Sequence, residues 1–228
     1  MRKANMESSA KLSRANDAYN RLKTEILENR MPPGFQGTEP EIALRLNMSR
    51  TPVREALLRL QGEGLVELKP RRGVRVLPIA PSDMREIYQL LTVLEPEAAA
   101  DIAIAGVSPD EIAVLDDATT EMELALAQGD LDKWAAADDR FHRELLKLNE
   151  NGRLSAFVNT LFDQAHRARM VTLRLRTLPH ESTLEHRRIL NAIAKGDADK
   201  TRALFRAHRE RAATELLSVL EECRLTQL

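Results

Sequence analysis

The stretch from Ser49 to Leu60 constrains the fold of this chain more than any other. Val53, Ala56, Leu57 and Leu60 stand at i, i+3, i+4 and i+7, which runs one apolar stripe along a helix of 3.6-residue period. Arg50 and Arg54, four apart, share a different face. A helix of this kind packs on its own domain through one side and offers two guanidinium groups outward, as a helix entering a DNA major groove must. A solvated surface helix with two arginines has the same pattern, so the flanking residues decide.

Upstream, Tyr19, Leu22, Ile26 and Leu27 mark a helix from about Asp17, and Met31-Pro32-Pro33-Gly34 ends it. Residues 1–15 are polar and unpatterned, and the expectation for them is a loose arm. Thr38 followed by Glu41 forms a capping-box pattern that opens a second short helix carrying Ile42, Ala43 and Leu46. Pro52 falls in the first turn of the third helix, where its missing N–H costs nothing. After Gly62 and Gly64 the apolar period drops to two, in Leu65-Val66-Glu67-Leu68 and Val74-Arg75-Val76, around Pro70-Arg71-Arg72-Gly73. That is a β-hairpin with a basic tip. Three short helices and this hairpin predict a winged helix-turn-helix over 16–76, with the third helix in the major groove and the wing tip on the neighbouring backbone or minor groove.

Charge divides at the same place. Residues 1–76 hold 15 Lys and Arg against 9 Asp and Glu, a net of +6, and the remainder holds 19 against 26, a net of −7. A nucleic-acid-facing front and a different task behind follow from that split. The lone cysteine, Cys223, excludes an internal disulfide and suits a reducing compartment. No apolar run approaches the roughly 18 residues of a membrane span, and the N-terminus has no signal-peptide core. The expected location is the cytoplasm.

Leu77-Pro78-Ile79-Ala80-Pro81 reads as a semi-rigid linker. Residues 82–228 read as helix throughout. Ser108 with Glu111 is a second capping box, and Gly129, Asn151-Gly152, Pro179 and Gly196 supply the breaks. The expectation is an all-α antiparallel bundle of six helices, with Pro96 kinking the first of them, and the whole chain is mainly α. Asp138 and His142 are four apart and emerge from one helix face, while His186 and His208 lie on the last two helices. One Asp with three His is a possible first-row metal set, although a single helical His is more often a core or surface residue.

Two resemblances sharpen these readings. Ser49-Arg50-Thr51-Pro52-Val53-Arg54-Glu55-Ala56-Leu57, then Gly64-Leu65-Val66 and Pro70-Arg71-Arg72-Gly73-Val74, are similar to the DNA-binding domain of GntR-family transcription regulators. The resemblance implies that Arg50 and Arg54 read guanines, that Ser49 and Thr51 hold phosphates, and that Arg71, Arg72 and Gly73 form the wing contact. Pro40 stands where many relatives carry an arginine. Further on, Asp138, Phe141 and His142, then Asn151 and Leu154, then Glu185-His186 with Ile189-Leu190 and Ala192-Ile193, then His208, resemble the FCD effector domain of the FadR-type branch. Its six helices look closer to the VanR-like subgroup.

That second resemblance implies Asp138, His142, His186 and His208 as ligands of a divalent metal, zinc first with Ni, Fe or Mn as alternatives. A small carboxylate metabolite would bind above it. Leu91 takes the place of a usual carboxylate-clamping arginine four residues before Glu95, so either the effector differs or another cation replaces the clamp, Arg167 or Arg169 of the cluster Arg167, Arg169, Arg174 and Arg176 being the candidates and Arg174 and Arg176 being read as a solvated face. The implied protein is a transcription regulator and not an enzyme. It is expected to be a repressor that binds an inverted-repeat DNA operator as a homodimer, with no membrane partner. A metal-dependent hydrolase and a ligand-free architectural DNA binder are the alternatives from other classes. The first lacks a motif for a positioned general base, and the second requires a filled core in place of a cavity.

Overall fold

The computed structural model describes residues 2–70 and 72–222, with side chains from Ser13 onward. It divides into two compact units, one up to Ala80 and one from Pro81.

The first unit contains α1 (Arg2–Leu27), β1 (Gln36–Gly37), α2 (Glu39–Leu46), α3 (Arg50–Gly62), β2 (Val66–Lys69) and β3 (Gly73–Val76). The backbone of residues 2–15 belongs to α1, which corrects the expected loose arm. That segment holds no Gly or Pro and is rich in Ala, Lys and Arg, so helix propensity extends the element without an apolar stripe. Thr38 and Glu41 form the expected reciprocal capping box at α2, and Asn47 ends that helix in the left-handed conformation. The apolar stripe of α3 is fully inside: Val53, Ala56, Leu57 and Leu60 pack with Ala18, Leu22 and Ile26 of α1, Ile42 and Leu46 of α2, and Val66, Val74 and Val76 of the strands. The Tyr19 hydroxyl donates to Glu63, and Arg59 stacks 3.6 Å over the Tyr19 ring, fastening α1 to the end of α3.

The expected hairpin is present, with Lys69 opposite Gly73 and Val66 opposite Val76. A further short strand joins it, so the sheet has the order β1-β3-β2. Gly73 permits this. Its φ is +86°, and a Cβ there would lie within 2.8 Å of Thr38 Cα and closer still to the Gly37 carbonyl oxygen.

The second unit consists of α4 (Pro81–Ala105), α5 (Pro109–Ala127), α6 (Leu131–Lys147), α7 (Gly152–Thr172), α8 (His180–Ala194) and α9 (Ala198–Glu222), with a 3-10 turn at Leu173–Leu175. These are the six helices expected, and Pro96 lies inside α4. Side chains cap four of them: Ser108 with Glu111 at α5, Asp130 at α6, Asn151 at α7 and Asp197 at α9. Helix α4 packs mainly on α9 and α7, and α5 on α6 and α8. Phe141, Phe205, Trp134, Ile189 and Ile193 fill the middle of the bundle. No described helix is long and apolar enough to cross a membrane.

Candidate functional site

Two sites emerge, one in each unit. On the first, Ser49 is the residue before α3 and its hydroxyl makes no capping hydrogen bond. Ser49, Arg50, Thr51 and Arg54 are all exposed. The wing brings Gly73 and Lys69 to a groove of about 640 Å³, where they line the wall with Arg54, Leu58, Glu39 and Pro40. Arg72 is exposed at the wing tip, while Arg71 lies outside the described residues. The other arginine of the helix, Arg59, is occupied by Tyr19 and by Glu63 at 3.4 Å. The exposed arginine face of α3 and the wing therefore border one groove, the geometry of a helix-and-wing DNA reader.

In the second unit, α6, α8 and α9 bring His142, His186 and His208 together. One ring nitrogen from each lies within 4.8 Å of the other two, and all three residues are buried. His142 Nε2 and His186 Nε2 are 3.2 Å apart. Each Nδ1 has an acceptor at 2.7 Å: Glu95 Oε1 for His142, the Ser182 carbonyl for His186, and Glu185 Oε2 for His208. Those acceptors place the ring proton on Nδ1 in all three and leave the Nε2 lone pairs converging. This is the outer-shell arrangement that orients metal-binding imidazoles.

Burial and the nearby Arg209 guanidinium hold the His142 pKa well below its usual value, burial lowers that of His186, and burial brings His208 down to about 4. The rings are thus neutral at pH 7. Two lone pairs 3.2 Å apart repel unless a cation lies between them, and two imidazoles on one tetrahedral ion, each about 2.0–2.1 Å from it, are separated by about 3.3 Å. The donor set fits a metal.

Asp138 joins the cluster through one oxygen. Its Oδ1 is 3.5 Å from His186 Nε2 and 3.8 Å from His142 Nε2, and its Oδ2 accepts from Arg169 at 2.5 Å. Burial opposes ionisation of this carboxyl, but the Arg169 guanidinium overcomes it and holds the pKa below the usual range. Asp138 and His208 also face a cavity of about 30 Å³, lined besides by Tyr88, Trp134, Arg169, Arg176, Arg209 and Arg211.

The arginines fall differently from the expectation. Arg169 lines the cavity, but it is bound to Asp138 and Asp139. Arg167 is buried and does not line it. Arg174 pairs with exposed Asp132, as a solvated residue does, whereas Arg176 lines the cavity, which corrects its placement on the same solvated face. The reason is local: α7 ends at Thr172 and the 3-10 turn redirects the chain, so helical spacing cannot be extended to residue 176.

Glu95, Glu185 and Arg209 were not read from the sequence as site residues. Their signal was available: Glu95 follows Leu91 by four residues and Arg209 follows Phe205 by four, so each charge interrupts an apolar helical stripe. The two meet as a buried ion pair. Arg209 Nη2 also approaches His142 Nδ1 at 3.0 Å, where two donors share the charge of Glu95.

Residues 86–211 match the FCD domain, and residues 14–76 match the bacterial regulatory proteins of the gntR family. The chain belongs to the GntR family of regulators, in the group with an FCD domain. It is 44% identical over 142 residues, 61% of this chain and 83% of the relative, to an uncharacterized HTH-type transcriptional regulator in the TAR-I ttuE-ttuC' intergenic region of Agrobacterium vitis. It is 30% identical over 190 residues, 82% of this chain and 87% of the relative, to the Nta operon transcriptional regulator of Aminobacter aminovorans. Among solved structures, Escherichia coli McbR/YncC is similar with a TM-score of 0.79 at 21% identity, covering 90% of this chain and 97% of that one. The metal-free FCD domain of TM0439 gives 0.52 at 16% identity, over 63% of this chain and 97% of that one. This GntR/FCD chain is a DNA-binding transcriptional regulator and not an enzyme.

Proposed function

We propose that this regulator is a repressor that binds an inverted-repeat operator as a homodimer in the cytoplasm, and that it is controlled by a small carboxylate metabolite. Asp138, His142, His186 and His208 hold a divalent ion, with zinc first and Ni, Fe or Mn as alternatives. The observation that carries the reading is the convergence of three neutral imidazoles whose Nδ1 atoms are each anchored. Glu95, Glu185 and the Ser182 carbonyl keep the tautomers fixed, and Arg169 turns Asp138 so that its second oxygen faces the rings. When bound, the ion supplies positive charge to receive a carboxylate.

On the DNA side, Arg50 and Arg54 read base edges, Ser49 and Thr51 hold phosphates, and Arg71, Arg72 and Gly73 carry the wing contact. A winged helix covers one half-site, so a two-fold dimer supports an inverted repeat. Effector and DNA affect each other's affinity by the same factor.

The test is metal content by plasma mass spectrometry together with binding to DNA selected from random sequence. Wild-type protein is expected to carry about one ion per chain. His142→Ala is expected to lose it and still bind the selected DNA. Equal metal content in the two proteins would remove the proposed site.

A further inference from the structure

Four guanidinium groups line the cavity beside the imidazoles, and three of them already have carboxylates. Arg169 pairs with Asp138, Arg209 with Glu95, and Arg211 with Glu185 and Glu215. Arg176 makes no ion pair with a described residue, and its Nε is buried without a hydrogen-bond partner. In the same lining stands Tyr88, 2% exposed, whose hydroxyl also lacks a partner. Arg176 and Tyr88 line the same cavity.

A buried donor without an acceptor is unfavourable, and the charge of half-buried Arg176 is met only at a distance, by Asp138 and Glu215, carboxylates that Arg169 and Arg211 already hold. Both defects in the wall of one cavity mark a place for an acceptor that is itself negative. Helix α4 supplies no cation there, since Leu91 is fully buried and apolar. The connector after α7 does.

We infer that Arg176 and the Tyr88 hydroxyl form the anion anchor of this cavity, and that they receive the carboxylate of a small organic acid. The inference rests on the effector reading proposed above and moves its anchor away from Arg167 and Arg169. A guanidinium edge presents parallel N–H groups that match a carboxylate, and the phenol adds a further donor. The cavity of about 30 Å³ has room for about two waters. An acid therefore enters by displacing water and shifting the wall that Leu173, Arg176, Thr177 and Pro179 contribute. That wall is the short connector between α7 and α8, which has few backbone hydrogen bonds to lose.

The experiment titrates the full-length protein calorimetrically with acetate, malonate, succinate, glutarate, citrate and benzoate, and with acetamide and succinamide as neutral controls. Variants are Arg176→Gln, Arg176→Lys and Tyr88→Phe, each checked for an unchanged circular dichroism spectrum. At least one acid is expected to bind wild type while the amides do not. Its affinity is expected to fall at least about tenfold in Arg176→Gln, to fall less in Tyr88→Phe, and to recover in part with Arg176→Lys. Equal acid affinity in wild type, Arg176→Gln and Tyr88→Phe would overturn the anchor and leave the carboxylate-effector reading intact. Binding of the amides as tightly as the acids, or failure of every acid to bind wild type, would overturn both.

Discussion

Arg54 and Gly73 border the same groove and do different work. Arg54 is exposed on the outer face of α3, so its loss takes little from the fold and, under the proposed DNA reading, removes a base contact. Arg54→Ala is expected to cost about 1–3 kcal/mol on selected operator DNA and to relax base preference. Competition binding checks it, and an equal loss on random DNA would assign Arg54 to the phosphate backbone. Gly73 was read from the sequence as a wing contact, but its backbone is what the structure needs. At φ +86° and against the Gly37 carbonyl, any side chain strains the backbone and pushes β1 from β3. Gly73→Ala is expected to destabilise the DNA-binding unit by about 1–3 kcal/mol, measured as an earlier urea midpoint. An unchanged midpoint would show that the wing yields without cost.

At the scale of elements, legibility followed the length and strength of each local signal. The α3 stripe and both capping boxes were readable because each depends on residues three or four apart. β1 was not, since two residues are too few to show a period and their pairing is decided by β3, nearly forty residues later. The start of α1 was missed for the opposite reason: propensity without amphipathicity leaves no stripe to read. In the bundle, the histidine positions were legible from helical spacing and from the resemblance. Their acceptors on α4 and α8 and the role of Arg176 depend on how helices meet, or on a turn that breaks the helical phase, and neither is encoded in local spacing. The charges of Glu95 and Arg209 within apolar stripes were a further readable sign that a buried polar centre lay there.

At the scale of the whole molecule, the charge boundary near residue 76 coincides with the structural division at Ala80 and Pro81, so the basic reader and the acidic bundle each have their own core. Separate cores allow separate responses to a ligand. An ion that binds the folded bundle and not its unfolded chain stabilises that unit by RT ln(1 + [L]/Kd), about 2.7 kcal/mol at a free concentration one hundred times Kd. All four proposed ligands, Asp138, His142, His186 and His208, lie in the bundle, so zinc is expected to raise the unfolding midpoint of the second unit and leave the first where it was. His142→Ala is expected to abolish the shift. Hydrogen exchange at rising urea resolves the two units through amides of α3 and of α6. A zinc-induced rise in the α3 amides alone would place the ion outside the bundle and remove the assignment of these ligands.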